Sequence, residues 1–350
     1  MRTKAVAVTI CVLLMAVSVQ AEPSIMQSLR TANPPNWLAV SPSGNQMCVT
    51  NLRGLQMHVL GDDGRVETGP ALKTIRTDHQ LTCAAISPDG KWIIATDGGT
   101  NLGCTIHIIK RGDWTVRQIL YTEASQAVDI DAIADPPEAY IQFANKRLVA
   151  VDYHRAEIVY EHQIGYGESW RGRGVRALPG GDIVCPLTAH MTTGFAATYG
   201  LWTAPEDWTQ TWDCALEFFP VAMCVGPHPN HLIALHRNQD CGFSVVDTTT
   251  GNVVRTYDHD FTHPEDIEAT PDGKWIVTVD YGAPKLTALV AEEFRADLAM
   301  PRSVYSIRRY DCPLRARPAG VAVHPTLPVA YVWSTEESRI TVVDLGEVPE

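Results

Sequence analysis

The eleven residues 87–97, SPDGKWIIATD, return almost letter for letter at 270–280 as TPDGKWIVTVD. A Pro-Asp-Gly turn between two short apolar stretches reads as a β-hairpin. With the Ser or Thr before PDG as an anchor, looser copies align at Ser41, Asp135, Leu178, His228 and His324. Their spacing of roughly 47 residues is that of a stacked-sheet repeat, not of a duplicated domain. Ten residues beyond the anchors stand Asn51, Asp97, Asn145, Thr188, Asn238, Asp280 and Ser334. All seven are of the types whose side chains close turns onto nearby backbone.

After each hairpin comes a third strand, ending in V-x-D at Asp152, Asp247 and Asp344, and then a turn and a fourth strand. Four antiparallel strands in 40–50 residues predict a propeller blade. The expected fold is therefore all-β: a seven-bladed β-propeller of four-stranded antiparallel blades. No Ser/Gly/Pro-rich or charged spacer breaks the rhythm, so residues 22–350 read as one domain. Beyond His324 there is room for two more strands but hardly a third. SIMQSLRT, ahead of Trp37, is expected to supply the outer strand of the last blade, closing the ring and covering its free edge.

Residues 1–21 read as a secretory signal peptide: Arg2 and Lys4, an apolar core, then Val19-Gln20-Ala21. The apolar run is about 15 residues, short for a bilayer span, and no later segment is apolar enough. The expectation is an exported chain, periplasmic or extracellular, with no membrane insertion. Its formal charge of −12 becomes more negative once Arg2 and Lys4 are removed. Without basic clusters, such a chain lacks the phosphate contacts that nucleic acid binding needs.

One of the nine cysteines lies in the signal segment. The remaining even number in an exported chain favours disulfides. Cys48 and Cys185 lie seven residues after their anchors, and Cys83 and Cys224 four before theirs. A hairpin register that sets anchor −4 opposite anchor +8 puts anchor +7 on the other face. It thereby predicts bridges Cys48–Cys83 and Cys185–Cys224 between neighbouring blades, with Cys214–Cys241 as a further pair. Cys104 and Cys312 find no partner. There is no C-x-x-C, and no cofactor is expected.

Candidate binding residues gather in loops at one end of the blades. Trp170, Arg171 and Arg173, with Arg176 beside them, could hold an anionic or sugar ligand by charge-assisted bonds and stacking. His190, His236, His259 and His263, with Asp266 or Asp280, have the chemistry of a divalent-metal site. They come from separate units with no compact spacing, so no metal is assigned. Arg237 and Tyr281 complete the loop set. No G-x-S-x-G or H-E-x-x-H occurs.

SPDGKW, TPDGKW and VVDTTTGNVV resemble the repeats of the YVTN and PD40-type bacterial β-propellers, close in style to lactonase-like and WD40-like rings. The resemblance covers essentially all of the chain after the signal segment. It implies an exported binding or scaffold module, for a protein or a carbohydrate. Alternatives within such families are a lactonase- or lyase-like enzyme using loop-face His and Arg, or an accessory subunit of a periplasmic redox complex. No catalytic set of these families is matched residue by residue.

Overall fold

The computed structural model describes residues 22–348 except 100–102, 124, 146, 164–173, 179–182, 191–192, 202–207, 217–218, 227, 229, 238–241, 259 and 301–306. It describes backbone alone at 186–190, 193–201, 208–213, 215 and 219. The signal segment, Trp170, Arg171, Arg173, Asn238, Cys241 and His259 thus lie outside the described residues.

The strands form seven four-stranded antiparallel sheets, here I to VII in chain order. Their first strands are Pro35–Val40, Leu81–Ile86, Ala127–Ala132, Arg176–Ala177, Phe219–Val225, Pro264–Ala269 and Gly320–Val323. In sheets I to VI the strands lie side by side in sequence order. Sheet VII has three strands from the end of the chain, and its fourth is Ser24–Arg30, paired antiparallel with Arg339–Asp344. First strands touch in cyclic order, each against that of the next sheet and Gly320–Val323 against Pro35–Val40. They line the middle of the ring.

The SPDGKW segment builds its turn from its own side chains. The Ser87 amide donates to the Trp92 carbonyl (3.0 Å), and Ser87 Oγ accepts from the Trp92 amide (3.0 Å) while donating to Asp89 Oδ1 (2.6 Å). Asp89 Oδ1 also accepts from the Lys91 amide. Gly90 sits at φ +69, where a side chain would be strained. Thr270, Asp272, Gly273 and Lys274 repeat the set. His324 does the same work with a ring: Nδ1 accepts the Thr326 and Leu327 amides, and Nε2 bonds the Gly44 carbonyl in sheet I.

Two anchors stand elsewhere than the repeat alignment suggests. The residue whose amide meets the carbonyl five positions on is Ser41, Ser87, Thr270 and His324, as expected, but Ile133 and Gly226 in sheets III and V. The X-Pro pairs at Asp135 and His228 lie two residues too far. The equivalents of Asp97 and Asp280 are accordingly Phe143 and His236, not Asn145 and Asn238.

The expected Cys48–Cys83 and Cys185–Cys224 bridges do not form, while the Cys214–Cys241 pair lies outside the described residues through Cys241. Cys48, Cys104, Cys185, Cys224 and Cys312 are buried free thiols, and Cys83, buried as well, points its Sγ at the Ala127 carbonyl. A four-residue turn at 88–91 pairs Cys83 with Thr96, one residue beyond the assumed partner. One residue of register exchanges the faces, so anchor −4 and anchor +7 point the same way. Cys48 packs on Leu81 and Ile93 between sheets I and II, whereas Cys83 packs on Ile130 and Ala139 between II and III. Cys185 meets Tyr140 of sheet III, and Cys224 meets Ile267 of sheet VI. Burial pushes the Cys48, Cys185 and Cys224 thiols far up, so they are inert. Native protein is expected to leave these thiols unreacted with Ellman's reagent and to release them all in denaturant without reductant; titration in the two states checks this.

A single helix among the described residues, Ala291–Leu298, is absent from the sequence reading. It follows the third strand of sheet VI and lies against sheet V. Phe294 stacks on Phe243 and Tyr257 (5.1 and 4.7 Å), while buried Asp297 takes Arg255 and the Tyr257 hydroxyl. No helix among the described residues is long and apolar enough to cross a membrane.

Candidate functional site

With the anchors placed by their hydrogen bonds, the residues two and four before each turn fall into register around the ring. Four before are Trp37, Cys83, Asp129, Ala222, Asp266 and Gly320; two before are Ala39, Ala85, Asp131, Cys224, Glu268 and Ala322. Sheet IV adds Arg176 from its short first strand. Small residues keep the middle of a ring uncrowded. Charged ones there are exceptions, and they all meet.

Arg176 reaches from sheet IV to both sides. Its Nη1 donates to Asp129 Oδ2 of sheet III and its Nη2 to Glu268 Oε1 of sheet VI, both at 2.9 Å. Asp129 also accepts the Ile130 and Val175 amides, and Asp131 those of Ala132 and Ala177. Asp266 accepts the Ile267 and Val321 amides. In sheets III and VI alike, a first-strand aspartate thus takes an amide of the next sheet.

Four carboxylates surround one guanidinium, so the group is over-supplied with negative charge. Burial pushes Glu268 up to about 8; Arg176 opposes this and Asp266, Asp129 and Asp131 add to it. Burial also raises Asp129 against the pull of Arg176. For Arg176 itself burial disfavours the charge, but the surrounding carboxylates outweigh that and hold it more firmly protonated. With both arms engaged, Arg176 is a bar across the channel rather than an anion receptor.

At the end of the ring where the first strands begin, a cavity of about 240 Å³ opens between sheets I, II, III and VII. The first strands of sheets I, II and III carry bulges there, between Pro35 and Trp37, Leu81 and Cys83, and Ala127 and Asp129. The extra residues, Asn36, Thr82 and Val128, all line the cavity. Bulges re-aim side chains at sites in this way. Asn36 Nδ2 donates to the Leu81 carbonyl (2.7 Å), and Thr335 Oγ1 to the Pro35 carbonyl (2.8 Å), so the rim ties sheets VII, I and II together.

The opposite rim is charged. Glu265, at the equivalent bulge of sheet VI, holds Arg237 and lies 3.2 Å from His263 Nδ1. His263 stacks on Tyr281 (5.5 Å), Arg317 covers the Tyr281 ring (5.1 Å), and the Tyr281 hydroxyl donates to Glu336.

Of the sequence candidates, Arg237, His263 and Tyr281 therefore meet on this rim. His236 does not join them: it is fully buried inside sheet V, its Nε2 2.8 Å from Ser244 Oγ, and burial holds it down to about 4. Asp280 spends its carboxylate on the amides of Thr262, His263, Gly282 and Ala283. Asp266 is a strut between sheets VI and VII. His190 lies on strand Ile183–His190 with its side chain outside the described residues. No group of three or more His, Cys, Asp or Glu among the described residues is placed to hold a metal ion.

A scan against protein-family models finds no match, and a search of curated proteins finds none either. Among solved structures the chain is similar to one of Kuenenia stuttgartiensis hydrazine synthase, at 16% identity, over 90% of this chain and 96% of that one, with a TM-score of 0.70. At that identity the likeness carries fold alone: an all-β propeller with four-stranded antiparallel blades.

Proposed function

We propose that the chain is an exported seven-bladed propeller of the YVTN and PD40 repeat type, closed by its N-terminal strand, that acts as a binding module. Its ligand is taken at the loop-face mouth of the channel. The observation that carries this reading is the mouth cavity, open between sheets I, II, III and VII above a channel that Arg176 bars. A concave site at the end of a rigid barrel of strands is where ligands are held. The lactonase- or lyase-like alternative rests on His190, His236 and His263 converging with loop arginines; His236 is sealed inside a sheet and His263 sits against Glu265, while the His190 side chain lies outside the described residues. The redox-subunit alternative has in its favour only the name of a fold neighbour.

A thermal-shift screen of small molecules against the native protein and an Ala144→Trp variant tests the reading. Ala144 lines the mouth, and an indole there fills it. A ligand present at a hundred times its Kd stabilises by about 2.7 kcal/mol. The expected result is a compound that raises the melting temperature of the native protein and leaves the variant unmoved. Hits that shift both equally, or none at all, would overturn it.

A further inference from the structure

Resting on that reading, we infer that the mouth selects a neutral polyhydroxylated ligand, a single sugar residue of a saccharide. The cavity lining among the described residues includes Asn36, Gln80, Gln126, Thr82 and Thr335 but no Asp, Glu, Lys, Arg or His. An ionised ligand brought here would lose water without gaining a counter-charge, which costs several kcal/mol. The floor strengthens the exclusion for anions. Asp129 lies one residue from Val128 of the lining, and with Asp131 and Asp266 it outnumbers Arg176.

A wholly apolar ligand fits no better, since it would cut the exposed Gln80 and Gln126 amides off from water and give them nothing to bond. Amides each offer donors and an acceptor, matching hydroxyls that do both. The remaining wall is Trp37, Cys83, Ala127, Val128, Ala144 and Ala319, an apolar complement to the C–H faces of a sugar. Trp37 is the one aromatic residue in the described lining, held by Trp333 (ring centroids 5.7 Å). At about 240 Å³ the cavity is below the 300–1,000 Å³ typical of sites for drug-sized ligands, so one ring is the natural occupant.

Isothermal titration calorimetry on the full protein tests this with glucose, galactose, N-acetylglucosamine, maltose and cellobiose against glucuronate. At least one neutral sugar is expected to bind, with glucuronate at least tenfold weaker. A Gln80→Ala/Gln126→Ala variant, altered only at exposed positions, should weaken that binding tenfold or more at unchanged melting temperature. Failure of every neutral sugar, equal affinity for glucuronate, or indifference to the double substitution would each overturn the inference. A charged compound that binds the native mouth and not Ala144→Trp would overturn it while leaving the binding reading standing.

Discussion

An Arg176→Met variant is expected to lose about 3–5 kcal/mol of stability, the cost of removing one partner from a buried ion pair. Asp129 is 2% exposed at the side chain and would keep its two amides but no charge partner. The loss is also structural, because Arg176 ties sheet III to sheet VI. Urea unfolding checks it, with Arg155→Ala as the control. Arg155 pairs with Asp152 at the surface and is 69% exposed, so its loss should be small.

The same cluster sets a pH dependence with a definite sign. Glu268 is raised from 4.5 to about 8 in the folded state. Between those values the folded protein holds a proton that the unfolded chain has released, so stability is fully present below about pH 4.5 and falls as pH rises through 8. One group contributes at most about 1.4 kcal/mol per pH unit. Glu268→Gln keeps an oxygen for Arg176 Nη2 and cannot ionise. Its unfolding free energy should fall less steeply than the native protein's between pH 5 and 8, and should exceed it at pH 8.5. Parallel slopes for the two proteins would count against a protonated Glu268.

The second large effect is expected at Asp280. Asp280→Ala leaves the Thr262, His263, Gly282 and Ala283 amides without their acceptor. Each buried unsatisfied group costs about 1–3 kcal/mol; water reaching the two at the turn, where Gly282 is exposed, brings the total to roughly 3 kcal/mol. Asp280→Asn should fall between the two. Its oxygen can replace Oδ1, which serves three of the amides, but its amide nitrogen faces the Thr262 N–H. Hydrogen exchange localises the effect: faster exchange at 262–263 and 282–283 together is the expected signature of one carboxylate clamping two segments.

Blade composition was legible because PDG turns and alternating strands are local, and local chemistry repeats. The turn side chains Ser87, Asp89, Thr270 and Asp272 act as their types suggest, and Trp92 and Trp275 pack between sheets. The cysteine pairing failed for want of one residue of turn length, which no composition reveals and which turns every side chain to the other face. The channel cluster is hidden by one misplaced anchor. With Asp135 in place of Ile133 as anchor, Asp129 falls two residues out of register and Asp131 stands at the position of Asp266, leaving Glu268 without a counterpart. Arg176 was visible, but grouped with sequence neighbours rather than with partners 47 and 92 residues away. The mouth has no sequence signature, because its described lining is neutral and neutral residues carry no motif.

The pairing of Ser24–Arg30 with Arg339–Asp344 imposes an order of events. Arg339 Nη1 bonds Ser28 Oγ across 311 positions of chain, so the first strand made must wait for the last. Six sheets can assemble from neighbours in sequence, but the seventh pays the loop entropy of nearly the whole chain. Until that moment Arg339–Asp344 has one edge without a partner, open to any extended segment nearby, including the equivalent strand of another copy. Domain-swapped dimers joined by exchanged N-terminal strands are thus the misassembly this chain is most exposed to, and dilution during refolding is the condition that favours the closed monomer.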